Sequence, residues 1–225
     1  REEEKEVKAS IIIPLFDQHG MTGACLEALK ANTPDHELVL VDNGSKDLTR
    51  QMEVTIRNPR NKGFAIACNQ GARAATGDVL VFLNNDTEVQ PGWLEPLLAA
   101  MPGIAGPKLV YPDGSIQSAG ISVDFSRAPG AEAVNIQNDI GAGPVDAVTG
   151  ACLAIDRARF DALGGFDSGF WNGYEDVDLC LKNGGATFVP QSVVVHHESQ
   201  SDRTQRFKAV GENVARLRAR WSDAA

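Results

Sequence analysis

The sequence has no long hydrophobic run. Its longest apolar stretches extend for a handful of residues, so no segment reads as a bilayer-spanning helix. It has no C-x-x-C pair: Cys25, Cys68, Cys152 and Cys180 lie far apart, which argues against a disulfide framework and favours a reduced, cytoplasmic setting. Excess positive charge is missing as well. A net charge of -9 excludes nucleic acid as a natural partner. There is no G-x-G-x-x-G after the first strand-like run, where PLFDQHGMTG stands instead, and no G-x-x-x-x-G-K-[ST]. A dinucleotide-dependent dehydrogenase and a P-loop nucleotidase are thereby disfavoured. No internal repeat and no signal peptide is visible, and REEEKEVK (1–8) reads as a charged lead-in cut from a longer polypeptide. What is present is apolar residue content: 43% of 225 residues, enough for one large domain or two small ones with a real core.

Strand-like and helix-like patterns alternate through the first half. ASIIIPLF (9–16), ELVLVD (37–42), EVTIRN (53–58) and DVLVFL (78–83) read as strands, and segments 22–32, 63–76 and 92–101 as helices. Continuous Val/Ile/Leu runs between helices predict an α/β fold with a mostly parallel sheet covered on both faces. Ligands of such sheets gather beyond the carboxyl ends of the strands. Polar tails fall at three such ends: Asp42 to Ser45, Asn58 to Asn61, and Asn84-Asn85-Asp86. Further on, 111–120 reads as a turn or hairpin, 125–145 as a mobile loop, 145–156 as strand, 157–166 and 174–185 as helices closed by glycine, and TFVP and VVVHH as two strands. The tail is a basic amphipathic helix with Phe207, Val210, Val214, Leu217 and Trp221 on one face.

Several of these segments carry groups suited to chemistry. Asn84-x-Asp86 at a strand end suits Mg2+ or Mn2+, which take few protein oxygens and complete their shell with substrate phosphates; helix capping or a turn is the plain alternative. Glu175-Asp176-x-Asp178 starts a helix, where the dipole favours acids in any case. The loop before it (164–173) would set Phe170, Trp171 and Tyr174 as an apolar wall beside a carboxylate, tuning it as a general base and offering a stacking surface to a sugar. His196 and His197 end a strand and face opposite ways, so at most one of them meets a given site. Either is a core histidine or a metal ligand beside Asp86. Asp42 is placed to accept from a base or ribose.

Taken together, SIIIPLFD, LVLVDNGSKD, NPRNKGFAIACNQG, GDVLVFLNNDTEV, VTGACLAIDRARFDALGGFD, WNGYEDVDLCLKNGG and VVVHHESQS, in this order, resemble the family 2 inverting glycosyltransferases of the GT-A fold. LNNDTEV is most similar to the bacterial branch that includes rhamnosyltransferases and cell-surface polysaccharide enzymes. The resemblance implies a GT-A domain over 9–201, with a nucleotide-sugar half (9–110) and a smaller acceptor half (111–201), followed by the helix in 202–225. By position, Pro14, Phe16 and Asp42 would meet the nucleotide base. Asn61, with Gly63 and Asn69, would complete that pocket. Asn84 and Asn85 would stand beside the donor, Asp86 would bind the metal with His196 (His197 as the fallback), and Asp176 would be the catalytic base. Gly150, Trp171 and Glu175 would line the acceptor side. Asn84 replaces the first Asp of the family's Asp-x-Asp.

The implied reaction is transfer from a UDP- or dTDP-sugar to a hydroxyl of a glycan or lipid-linked acceptor, assisted by Mn2+ or Mg2+. A non-catalytic nucleotide-sugar-binding module and a sugar nucleotidyltransferase are the competing readings. The basic tail helix either lies on the inner face of a membrane or packs on its own domain.

Overall fold

Residues 8–127, 132–198 and 203–222 are described by the computed structural model. The charged lead-in, part of the 125–145 loop, and the side chains of Arg203, Arg206, Phe207 and Lys208 lie outside what is described.

Alternation of side chains along each strand decides the architecture. Strand β1 (Ala9–Leu15) is followed by helix α1 (His19–Asn32), β2 (His36–Asp42), a 3-10 turn (Leu48–Gln51), β3 (Ile56–Arg57), α2 (Phe64–Ala74) and β4 (Val79–Leu83). Ile12, Val39, Val41, Leu80 and Phe82 point to one face of the sheet, where Ala65, Ala67, Cys68 and Ala72 of α2 cover them. Ile11, Ile13, Leu40, Val81 and Leu83 point to the other, under Cys25 and Leu29 of α1. Both faces are dry, so these strands carry no polar alternation. Burying one such Ile, Leu or Phe side chain contributes about 1.5–3 kcal/mol, and Phe82 sits 4.8 Å from the Phe166 ring and 5.1 Å from Phe160.

The second half completes the same sheet. It adds β5 (Thr87–Val89), α3 (Leu94–Ala99), β6 (Ile104–Val110), β7 (Ile116–Ser118), β8 (Ile121–Val123), β9 (Ala133–Asn135), β10 (Gly143–Val145), β11 (Cys152–Asp156), α4 (Arg157–Ala162), α5 (Glu175–Asn183), β12 (Ala186–His196) and α6 (Arg203–Trp221). The main sheet runs β10-β12-β6-β11-β4-β1-β2-β3, with β5 on β12 and β7 on β6, while β8 and β9 form a separate ribbon. Strands β1, β2, β3, β4, β6 and β12 share one direction; β5, β7, β10 and β11 oppose it. The fold is therefore a mixed α/β sandwich whose antiparallel β11 lies between β4 and β6.

Several expectations shift. Residues 104–110 form a strand that the sequence reading passed over, because Gly106 and Pro107 interrupt its apolar run. TFVP and VVVH belong to one strand, β12, which ends at His196 and whose register slips between Val189 and Val193. A bulge there absorbs Pro190, which has no N–H for the ladder. The expected loop at 125–145 holds two short strands, β9 and β10. Of 145–156, Val145 ends β10 and Cys152–Asp156 forms β11, with Thr149 and Gly150 turning the chain between them; of 53–58, only Ile56 and Arg57 form a strand.

The turn after β2 depends on a glycine. Gly44 has φ +87°, and a Cβ there would lie 2.6 Å from the Arg60 Cα and carbonyl carbon. The backbone of residue 60 cannot give way as a flexible side chain would. Gly44→Ala is therefore expected to lower unfolding stability by at least the 1–3 kcal/mol typical of such strain, read from the denaturant midpoint. An unchanged midpoint would contradict this close approach.

Candidate active site

The tails beyond β1, β2 and β4 are laced together by short polar contacts. Asp17, with φ 55°, accepts from the Lys46 and Asp47 amides at 2.6 and 3.2 Å and donates its own N–H to Ser45 Oγ at 2.9 Å. Asp47 accepts from the His19 amide at 2.9 Å, where α1 begins. Asn85 Nδ2 donates to Thr22 Oγ1 at 2.9 Å and to the Asp17 carbonyl at 3.4 Å. Asn85 thus ties the end of β4 to α1 rather than presenting its amide to a ligand. Pro14 and Phe16 are half-buried at the end of β1.

Asp42 departs from its expected place at a nucleotide base. Its side chain is 1% exposed; one oxygen pairs with the Arg57 guanidinium and the other accepts from the Ser45 amide at 2.9 Å. The carboxylate holds the Asp-Asn-Gly-Ser turn and offers no open edge to a base. Asn43, buried next to it, is saturated too. It donates to Asn61 Oδ1 and the Gly63 carbonyl, and accepts from Asn58 and the Lys62 amide. Asn61 accepts from Asn43 and from the Gly63 amide, which locks the loop into α2. Asn69 is bound to the Phe166 backbone in both directions, at 2.8 and 3.0 Å, and is structural.

Asp86 and His196 come together. Pairing of β5 with β12 sets Thr87 opposite His196, and His196 Nε2 lies 3.2 Å from Asp86 Oδ1. His197 points the other way, to Glu88 Oε1 at 2.7 Å, although its amide donates to the Asp86 carbonyl. Of the two histidines, His196 is the one at Asp86. Among the described residues no cluster of three or more His, Cys, Asp or Glu gathers. The Asp86–His196 pair combines a hard oxygen with an imidazole nitrogen. It fits a divalent cation that takes its remaining ligands from a diphosphate and water. Asn84 is half-buried, and its side chain makes no hydrogen bond to another described residue.

Asp176 reaches the same end of the sheet through one turn. Its Oδ2 accepts from the Gly150 amide at 2.7 Å and its Oδ1 from the Val177 amide at 2.9 Å. The next carbonyl, of Ala151, accepts from the Asn84 amide at 2.9 Å. Two consecutive residues thus join the start of α5 to the tail of β4. A Cβ on Gly150 would stand 3.3 Å from the Phe64 ring and 3.4 Å from Asp176 Cβ, so the turn is packed closely against both. Gly150 touches the carboxylate itself.

The loop before α5 is held from behind. Trp171 is half-buried over Gly63, whose φ is +87° and whose absent Cβ would stand 3.2 Å from the indole. Phe170, expected beside it in an apolar wall, is 2% exposed and belongs to the hydrophobic core. Trp171 and Tyr174 remain half-buried. Glu175, expected on the acceptor side, is 4% exposed and accepts from the Gly173 amide at 2.7 Å; it shapes the loop. Asn213 of α6, which no local motif marks, accepts from the Trp171 amide at 3.1 Å. It also donates to the Trp171 and Gly173 carbonyls at 3.0 Å. Arg220 reaches both oxygens of the buried Asp178 at 2.7 and 2.8 Å and Asp167 at 2.8 Å; Arg216 stacks on Phe170, and Arg218 pairs with Glu132. Val214 and Leu217 are buried. These three arginines, offered by sequence to a membrane surface, are spent on the domain itself. Burial alone would raise the Asp167 pKa, but the Gly169 amide and Arg220 outweigh it and hold it below the usual carboxylate range.

Two clefts lie away from this site: about 510 Å³ beside Gly169, Glu212 and Arg216, and about 640 Å³ beside Phe125, Leu181 and Trp221. Neither contains a carboxylate–histidine pair. All four cysteines are free and buried; burial pushes the Cys25 thiol up to about 11 and raises the others as well, so none is a nucleophile at neutral pH.

Comparison with known proteins bears on this arrangement. The family model described as glycosyl transferase family 2 matches residues 10–103. The O-antigen biosynthesis protein RfbC of Myxococcus xanthus is 32% identical over 231 residues, covering 87% of this chain and 18% of its own length. The N-acetylglucosaminyl-diphospho-decaprenol L-rhamnosyltransferase of Mycobacterium tuberculosis is 29% identical over 207 residues, covering 73% of this chain and 67% of its own. The crystal structure of GalNAc-T7 with UDP, GalNAc and Mn2+ superposes with TM-score 0.77 at 21% identity, covering 97% of this chain and 49% of that one. The chain spans 27% and 18% of the two curated relatives that share 32% identity with it.

Two outcomes follow from the way α6 is attached. Asn213→Ala removes the partner of the Trp171 amide, and an unmade buried hydrogen bond costs about 1–3 kcal/mol. Hydrogen exchange at the Trp171 amide should quicken while β4 amides stay protected; unchanged exchange would show that α6 does not hold the loop. Asp167 has a folded pKa below its unfolded value near 3.9, so its contribution is complete above about pH 4 and fades as the pH falls through the folded value. The stability gap between wild type and Asp167→Asn should therefore be constant at neutral pH and close in acid. A gap that fails to narrow as the pH falls below 4 would contradict the ion-pair account.

Proposed function

Because this chain belongs to the family 2 glycosyltransferases and has the GT-A fold, we propose that it is an inverting glycosyltransferase. It would move a sugar from a nucleoside diphosphate to a hydroxyl of a glycan or lipid-linked acceptor. The observation that carries this reading is the joining of Asp176 to Asn84 across Gly150 and Ala151. It supports Asp176 as the general base, at the strand end from which the Asp86–His196 pair follows.

The donor nucleotide lies over the ends of β1 and β2, against Pro14 and Phe16, with Asn61 at the loop into α2. Asp42 acts through the turn it supports. Asn84 faces the ribose or diphosphate with its uncommitted amide. Asp86 and His196 hold a divalent cation, Mn2+ or Mg2+, which when bound neutralises charge on the departing diphosphate. Asp176 has its two carboxylate oxygens oriented by the Gly150 and Val177 amides. It takes the hydroxyl proton as the acceptor oxygen attacks the anomeric carbon and the nucleoside diphosphate leaves from the opposite face. One displacement inverts the anomeric centre, with no covalent enzyme intermediate. Trp171 and Tyr174 offer the acceptor sugar a half-buried aromatic surface, and Gly150 and Glu175 keep the base and its loop in place.

A nucleoside-diphosphate-sugar donor is favoured by the likeness of fold to GalNAc-T7 with UDP; dTDP-sugars stand beside UDP-sugars through the resemblance of LNNDTEV to the rhamnosyltransferase branch. Bacterial polysaccharide synthesis is favoured by the kinship with RfbC. Among the described residues no helix is long and apolar enough to cross a membrane. The placing of the enzyme in the cytoplasm rests on the spread of its four free cysteines.

Asp176→Asn keeps the shape of the side chain and removes the base. Turnover should fall by about 10²–10⁴, with the dissociation constant for the donor nearly unchanged. Wild-type rates in this variant would remove Asp176 from the role. EDTA should abolish transfer, and Mn2+ or Mg2+ should restore it. Full turnover in excess EDTA would remove the cation.

A further inference from the structure

Gln117 is a buried polar side chain that the roles above do not use. It stands on β7 at 4% exposure, against His196 at 8%. Its Oε1 lies 2.7 Å from His196 Nδ1. Its Nε2 faces two acceptors at 3.4 Å, the His196 carbonyl and Glu198 Oε2, and the Tyr111 hydroxyl donates to that same Glu198 oxygen at 3.1 Å. Turning the amide over would set its oxygen against both acceptors. The surrounding network therefore fixes which end of the amide meets the ring.

An acceptor so close to Nδ1 places the ring proton on Nδ1. In a neutral imidazole the other nitrogen, Nε2, then carries the lone pair. That nitrogen is the one 3.2 Å from Asp86 Oδ1. A lone pair and a carboxylate oxygen at this distance face each other comfortably only around a cation or a shared proton.

We propose that Gln117 is a positioning residue that holds His196 as the Nδ1–H tautomer, aiming the Nε2 lone pair at the space beside Asp86 where a divalent cation is received. Ligating histidines owe their orientation and basicity to such a partner on the second nitrogen, and its loss typically weakens metal affinity 10–100-fold. Gln117 lies 79 positions from His196, on a hairpin whose other contacts are structural. The inference rests on the cation reading of the Asp86–His196 pair proposed above.

Two measurements on the 225-residue chain test it. In the metal-free wild type, 15N NMR of the neutral His196 ring should show the proton on Nδ1; the Nε2–H form would overturn the proposal without any variant. Mn2+ affinity, read by electron paramagnetic resonance with saturating UDP, should drop 10–100-fold in Gln117→Leu. Gln117→Glu, which keeps an acceptor at Nδ1, should stay within a few-fold of wild type. Equal Mn2+ affinity in wild type and Gln117→Leu would overturn the role of Gln117 and leave the cation site standing. A wild-type chain that takes up no Mn2+ would overturn the cation reading, and the inference with it.

Discussion

The structure turns on one peptide, between Gly150 and Ala151. Its two flanking contacts, Gly150 N–H to Asp176 and Ala151 carbonyl to Asn84 N–H, fasten the start of α5 to the end of β4. This is possible because β11 runs antiparallel between β4 and β6, so the chain enters β11 at the end where β4 stops. A parallel strand in that place would deliver residues 149–151 to the opposite edge of the sheet, and α5 would start far from Asn84. Gly150 is closely packed at this point: an added Cβ would stand 3.3 Å from the Phe64 ring and 3.4 Å from Asp176 Cβ.

Around this join the protein relies on amides more than on charges. Asn43, Asn61, Asn85, Gln117 and Asn213 each satisfy backbone or side-chain groups across long stretches of chain. A buried amide costs less to desolvate than a buried ion and can donate and accept at once. Loops that must stay ordered without a hydrophobic core of their own are well served by such groups. Two of the buried charges, Asp178 and Glu132, are matched by arginines of α6, which makes the tail helix part of the wall behind Trp171.

The first half of the fold was legible because β1, β2 and β4 are continuous apolar runs and their helices end in clear turns. The seven ordered motifs carried the family, and adjacency on a strand correctly separated His196 from His197. What escaped notice has a common cause. β6 contains Gly106 and Pro107 and owes its strand state to β11 and β12 on either side. Phe170 reads like Trp171 in the sequence, yet one is core, with the Arg216 guanidinium over its ring, and the other half-buried, a choice made by tertiary packing. Asp42 has the right residue type at a strand end, and only the position of Arg57 shows that it is engaged. Gln117 and Asn213 act 79 and 42 positions from their partners, beyond any local pattern.

The central claim is that Asp176 and the Asp86–His196 pair serve one bound donor. A crystal structure of the chain with Mn2+ and a nonhydrolysable UDP-sugar would test this most directly. The account predicts the ion between Asp86 Oδ1 and His196 Nε2, the diphosphate on that ion, and the anomeric carbon facing Asp176. A nucleotide seated in the clefts beside Arg216 or Trp221, or an anomeric carbon turned away from α5, would contradict it.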